Sequence, residues 1–291
     1  MTEALRSARE MLDRGRAFLR DKGLEEWRLE AELLVAHALG LPRLGLFLEL
    51  ERPLSPKEIQ GGRELLVRRA KGEPVAYLIG NREFYTRDFE VGPGVLIPRP
   101  ETEGLIDLAK ERLADRVFPA GGPSVLDLGT GSGVLGVTLA LELSGASVTA
   151  TDCSAQALEF ALRNAARHGA DVEFFEGDGF APLIERERRF DLIVSNPPYV
   201  RPEERDSLAR EVRDFEPEGA LFAPPGDPDH WVGRFVREGL ALLKDGGLAL
   251  VELGYDQSER LAEKLESRGL WFEFHKDLAG IPRVLELKAP E

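Results

Sequence analysis

Residues 124–133, Ser-Val-Leu-Asp-Leu-Gly-Thr-Gly-Ser-Gly, decide the fold. A short strand-like run enters a turn with glycine at 129, 131 and 133, and a helical apolar pattern follows at Val134, Leu135, Val137, Leu139 and Ala140. Glycines in such a turn permit positive φ and let a ligand approach the backbone. Taken alone, the turn also suits any tight strand-to-helix connection. Two details narrow the reading. A dinucleotide-binding fingerprint wants Gly or Ala at position 134, where this chain has Val134. Asp127 would repel a pyrophosphate but would suit a ligand amino group carrying positive charge. Asp127, Gly129, Thr130, Gly131, Ser132 and Gly133 are therefore candidate cofactor-binding residues.

Working outward, the next strand-like run, 146–151, ends at Asp152, where a carboxylate can accept hydrogen bonds from both ribose hydroxyls. A third, 172–175, leads to Gly177-Asp178-Gly179-Phe180. There Asp178 can read an adenine amine, Phe180 can stack on the ring, and Gly179 lets them approach. Singly, each acid could equally be a helix N-cap or a loop residue. The fourth run, Phe190 to Ser195, stops abruptly at Asn196-Pro197-Pro198-Tyr199. Each proline fixes its own φ and removes an N–H, so nearby carbonyls are available as acceptors. The Asn196 oxygen and the Pro197 carbonyl can grip the two hydrogens of a planar –NH2 group. The Tyr199 ring can cover that group from one face, with Pro198 beside it. Three acids after three successive strands, and an amide clamp after the fourth, imply S-adenosylmethionine as cofactor and transfer to an –NH2 nitrogen, with S-adenosylhomocysteine as product.

These motifs lie near that of a known family. Gly72 to Gly80, Glu83-Phe84-Tyr85, Ile97 to Glu103, Asp127 to Gly133, the 196–199 run, Glu216-Pro217 with Ala220-Leu221, Leu243 to Gly247 leading to Glu252, and Asp277 to Val284 are together similar to the HemK/PrmC family, the glutamine N5-methyltransferases of peptide release factors. The resemblance spans roughly positions 70 to 287. It departs from the family at Ala223 to Asp229, where a glycine-aspartate-glycine-leucine stretch is usual. It implies a class I S-adenosylmethionine-dependent methyltransferase: an α/β, Rossmann-like doubly wound sheet, joined to a small N-terminal helical bundle through a β-hairpin. It also implies class I peptide chain release factors as protein substrate, with the glutamine of their Gly-Gly-Gln loop as acceptor.

Composition agrees with two domains. At 291 residues the chain exceeds the usual single-domain size, and 43% hydrophobic residues suffice for real cores. No run of about 18 apolar residues marks a membrane span. The charged start, MTEALRSARE, lacks the apolar stretch of a signal peptide, so a cytoplasmic location is expected. Cys153 is the sole cysteine and reads as structural. His37, His168, His230 and His275 show no metal-ligand spacing, so no metal is expected. Residues 1–75 carry 14 Lys+Arg against 13 Asp+Glu, whereas the remainder carries 24 against 39. An acidic catalytic region argues against stable binding of nucleic acid and suits a basic protein partner. A monomer is the default expectation.

Residues 1–75 read as the helical substrate-recognition domain. Leu24, Trp27, Ala31, Leu34, Val35 and Ala38 form one apolar face, closed by Gly40 and Pro42. Ser55-Pro56-Lys57-Glu58 opens a further helix with an N-cap and proline at its first position. Residues 76–100 form a linker with a hairpin over 82–91, whose Phe84 and Phe89, with Leu96 and Ile97, are expected to keep water from the substrate. Residues 101–291 form the catalytic domain, with further strands at 248–252 and 284–287. Asn196, Pro197 and Tyr199 are the catalytic candidates; Asn196, Pro197, Pro198, Tyr199, Phe84 and Phe89 are the substrate-binding ones. Rival readings are a glutamine methyltransferase of a ribosomal protein, an adenine or cytosine amino-methyltransferase using the same clamp, and a cofactor-sensing module without turnover.

Overall fold

The computed structural model describes residues 7–119 and 121–289; the expectation of no signal peptide falls partly on residues 1–6, outside them. The chain forms two compact units, Met1–Asn81 with Ala209–Phe215, and Arg82–Leu208 with Glu216–Glu291.

In the first unit the helices are Ala8–Asp21, Trp27–Ala38, Arg43–Leu48, Pro56–Ala70 and Val75–Ile79, joined by Arg210–Phe215. The Ser55 hydroxyl accepts from Glu58 N at 3.3 Å, and the Glu58 carboxylate accepts from Ser55 N at 2.8 Å. This capping box satisfies two otherwise orphaned amides. Leu24 lies before the second helix rather than in it, yet it packs on the same core as Leu12, Leu34, Val35 and Leu66. Gly62 permits close helix contact: a Cβ there would meet Met11 Cε at 1.6 Å. Buried Arg69 bridges Glu30 and Glu211, each at 2.7 Å.

The second unit contains a hairpin, β1 (Asn81–Phe84) and β2 (Arg87–Glu90), and a seven-stranded sheet. The sheet strands are β3 (Ser124–Leu128), β4 (Ser147–Asp152), β5 (Val172–Glu176), β6 (Phe190–Ser195), β7 (Leu243–Glu252), β8 (Phe272–Lys276) and β9 (Pro282–Lys288). Their order is β5-β4-β3-β6-β7-β9-β8. The first five run parallel, and β9 is antiparallel to both neighbours. β6 is buried along its whole length, which explains its continuous apolar sequence. β8 was not expected from the sequence; it is an edge strand whose Phe272 and Phe274 alternate with charged residues. Chain order reverses between β3 and β6, so the carboxyl ends of these strands splay apart there and leave a crevice.

The hairpin turn places Tyr85 and Thr86 at φ 48° and 61°, positions that favour Gly or Asn. Three side-chain contacts hold it: Tyr85 N donates to Glu103 at 2.9 Å, the Tyr85 hydroxyl to Asp107 at 2.8 Å, and Lys110 lies over the ring. At the other end, fully buried Asn164 accepts from Glu90 N at 2.7 Å and donates to the carbonyls of Glu90 and Ser132 at 3.0 and 2.8 Å. One amide thus ties the hairpin to the glycine turn. Asn164→Ala leaves these groups without partners, and is expected to cost about 3 kcal/mol in denaturant unfolding.

Candidate active site

Asp127, the last residue but one of β3, lies inside the protein. Its Oδ2 accepts from the Thr130 hydroxyl at 2.6 Å and from Gly136 N at 2.8 Å. Gly136 is what admits the carboxylate, since a Cβ there would stand 3.0 Å from Oδ2. Gly129 N and Thr130 N donate to the Thr151 carbonyl at 2.8 and 2.9 Å, which sets the turn against the end of β4. Gly131 N and Ser154 N donate to the two oxygens of Asp152, each at 2.9 Å. Gly129, Gly131 and Gly133 all have positive φ, as the turn requires.

A cavity of about 320 Å³ opens at the carboxyl ends of β3 to β6. Gly129 to Ser132, Thr151 to Ser154, Gly177, Gly179 and Ser195 to Pro198 line it, and Gly94, Val95, Leu96 and Pro98 cover one side. Burial pushes the Asp127 carboxyl up to about 6, against the Thr130 and Gly136 hydrogen bonds. Burial also raises Asp152, against the Ser154 and Gly131 amides. Asp127 Oδ1, Ser132 Oγ and Thr151 Oγ1 are buried without hydrogen-bond partners. Asp127 and Gly133, both expected to meet the cofactor, are buried behind the turn and do not line the cavity. The uncommitted Ser132 and Thr151 hydroxyls do, and they fit a ligand with polar groups, as S-adenosylmethionine has.

The Asn196 amide points one way. Its Nδ2 donates to the Thr102 hydroxyl at 3.0 Å, which leaves Oδ1 as the acceptor at the cavity wall. Pro197 and Pro198 line the same wall. The segment over the cavity is held by Glu216, whose carboxylate accepts from Ile97 N at 3.0 Å and from Arg99 at 2.6 Å.

Five sequence expectations are corrected here, along with the reading of Cys153. Phe180 is fully buried, edge-on to Phe235, and cannot stack on a ligand in the cavity. Asp178 is exposed, and its carboxylate is paired with Arg234 at 2.8 Å, away from the lining formed by the glycines beside it. Phe84 and Phe89 lie in the hydrophobic core, packed edge-on to each other, and do not line the cavity. Tyr199 is also off the cavity wall; its hydroxyl donates to Glu252 at 3.3 Å, and its own pKa is raised by burial and by Glu252. Ile97 turns inward, whereas Leu96 faces the cavity as expected. Cys153 is exposed and lines the cavity, with its thiol pKa raised by burial and by Asp152.

Thr102, Glu216, Glu252 and Trp231 were not assigned roles from the sequence, although Thr102 and Trp231 line the cavity. A polar residue closing an apolar strand is the signal that marked Asp152, and Glu252 carries it too. Far from the cavity, Glu273, His275 and Glu286 converge, and Arg112 supplies positive charge to Glu286 at 2.8 Å.

Residues 10–80 match the PrmC N-terminal domain, and residues 102–214 match the methyltransferase small domain. The chain is 42% identical to the release factor glutamine methyltransferase of Geobacter sulfurreducens, over 95% of each chain. It is 44% identical to that of Chlorobaculum tepidum, over 99% of each. The chain belongs to the release factor glutamine methyltransferase family. Its fold extends to more distant methyltransferases: a T. thermophilus 16S rRNA N2 methyltransferase, in complex with AdoMet and guanosine, superposes with a TM-score of 0.51 at 24% identity, covering 72% of this chain and 50% of that one. Among the described residues, no helix of this family member is long and apolar enough to cross a membrane.

The raised Asp127 pKa gives a stability prediction. An acid whose folded pKa lies above its unfolded one contributes stability that is complete below the unfolded pKa and is lost as pH rises through the folded pKa. Relative to the ligand-free wild type, Asp127→Asn is expected to remove a loss of about 3 kcal/mol between about pH 4 and 6. Denaturant unfolding of both proteins at pH 4 and pH 7 measures the difference.

Proposed function

We propose that the chain transfers the methyl group of S-adenosylmethionine to the side-chain amide nitrogen of a glutamine, the one in the Gly-Gly-Gln loop of class I peptide chain release factors. The observation that carries this reading is the committed Asn196 amide: with Nδ2 held by Thr102, Oδ1 is left as acceptor on a residue that lines the cavity beside Pro197, whose carbonyl is the second acceptor in this reading.

An amide nitrogen is a poor nucleophile, because its lone pair is delocalised into the carbonyl. The two acceptors hold its hydrogens and aim the lone pair; such orientation is worth about 7–11 kcal/mol in favourable cases. The same dipoles favour the positive charge that develops on the nitrogen during transfer. S-adenosylmethionine, when bound, supplies an electrophilic methyl on its sulfonium. The glycine turn, braced from behind by Asp127, and Asp152 would hold its polar groups, while Leu96, Pro98 and Pro198 exclude water. The methylated cationic nitrogen is acidic enough to lose a proton to water, so the chemistry requires no general base. The acidic catalytic sequence supports a basic protein substrate over nucleic acid, and action as a monomer in the cytoplasm fits a site drawn from one unit.

The test is labelled methyl transfer to purified release factor, with a Gly-Gly-Gln variant whose glutamine is alanine as control. Label in the intact factor alone supports the proposal. Label only in a ribosomal protein or in nucleic acid would keep the fold and overturn the substrate. Asn196→Ala is expected to cut turnover about a hundredfold or more while leaving S-adenosylhomocysteine affinity nearly unchanged by calorimetry.

A further inference from the structure

Glu252 ends β7 only 3% exposed. Its Oε1 accepts from the Tyr199 hydroxyl at 3.3 Å; Oε2 is buried without a hydrogen-bond partner among the described residues, and the Thr102 hydroxyl is one of the groups that face the carboxylate. Thr102 is itself 2% exposed and accepts from Asn196 Nδ2 at 3.0 Å. One hydrogen bond thus ties Glu252 to Tyr199, and the Thr102 hydroxyl that faces Glu252 is hydrogen-bonded to Asn196 at the other end of the 196–199 segment.

An ionised carboxylate can only accept. The Thr102 hydroxyl has one proton, and a carboxylate that faces it with an unpartnered oxygen can only take that proton as acceptor. Thr102 can then only accept from Asn196, so the amide must offer it Nδ2 and turn Oδ1 to the cavity. A donor at position 252 would permit the opposite polarity: Thr102 would donate to Oδ1, and Nδ2 would face the cavity. Two –NH2 groups would then confront each other, and the clamp would be lost. The hydrogen-bond network decides which end of the amide points where.

We propose that Glu252 is a positioning residue that sets which end of the Asn196 amide faces the substrate, acting through Thr102 while anchoring Tyr199; this rests on the amide-transfer reading above. The groups facing Glu252 are Thr102, Tyr199, Arg283 and Glu101. Burial and Glu101 raise its pKa to about 7, against Thr102, Tyr199 and Arg283. Its acceptor-only form is thus lost as pH falls through neutrality, and the clamp loses its fixed polarity in the same range.

The experiment compares wild type, Glu252→Gln, Thr102→Val, Thr102→Ser and the Glu252→Gln/Thr102→Val double variant. It reads kcat on release factor, S-adenosylhomocysteine affinity and thermal unfolding. Glu252→Gln is expected to lower kcat about tenfold or more, without a matching loss of affinity or folding. Thr102→Ser should recover most of what Thr102→Val loses, and the double variant should be little worse than Thr102→Val alone. Wild-type kcat should fall as pH drops through about 7, a limb that Glu252→Gln lacks. Unchanged kcat in Glu252→Gln, multiplying losses in the double variant, or a loss that tracks affinity or folding would overturn the proposal.

A second readout needs no substrate. The chain has only three Asn and three Gln, so the Asn196 side-chain amide resonance can be assigned by its disappearance in Asn196→Ala. It should titrate near pH 7 in the wild type and not in Glu252→Gln. Wild type that methylates no release factor yet shows this titration would fail the substrate reading and keep the Glu252 assignment; a flat resonance would overturn it.

Discussion

The site depends on a carboxylate held away from water. Asp127 accepts from the Thr130 hydroxyl and the Gly136 amide through a single oxygen, which fixes the glycine turn against the first turn of its helix. That arrangement is costly in the free protein, because burial favours the protonated form. The remaining oxygen has no partner among the described residues, so the burial of this acid is only half offset by hydrogen bonds.

The same economy runs along the edge of the sheet. β4 and β7 end in an acid, β3 carries one a residue before its end, and burial raises the pKa of all three. Their surroundings separate them. Asp152 has each oxygen occupied by a backbone amide, Asp127 pairs one oxygen with a hydroxyl and an amide, and Glu252 pairs one with the Tyr199 hydroxyl alone. Amides cannot change direction, whereas hydroxyls can, so Glu252 has the surroundings that a proton most readily reorganises.

Much of this was legible in the sequence because it is local. The glycine turn, the acid ending β4 and the strand broken by two prolines each lie within a few residues, and their spacing carries the geometry. The failures have a different character. Phe180 follows two glycines at φ 159° and 57°, and those backbone angles decide that its ring turns into the core. Asp178 is drawn off by an arginine 56 residues away. Phe84 and Phe89 belong to a hairpin whose inner face meets the core rather than the cavity. Thr102 meets Asn196 across 94 residues, a pairing that periodicity and motif spacing cannot express.

The lone thiol of the chain stands on the wall of the cavity, next to the acid that ends β4. Because Cys153 is exposed and its pKa is raised, it stays largely protonated and reacts sluggishly at neutral pH. An electrophile that does capture it leaves its adduct inside the cavity, where a bound cofactor would need the same volume. Alkylation and occupancy therefore exclude one another, and with no second cysteine to confuse the count, the mass of a labelled sample reads directly as the fraction of molecules whose cavity stood open.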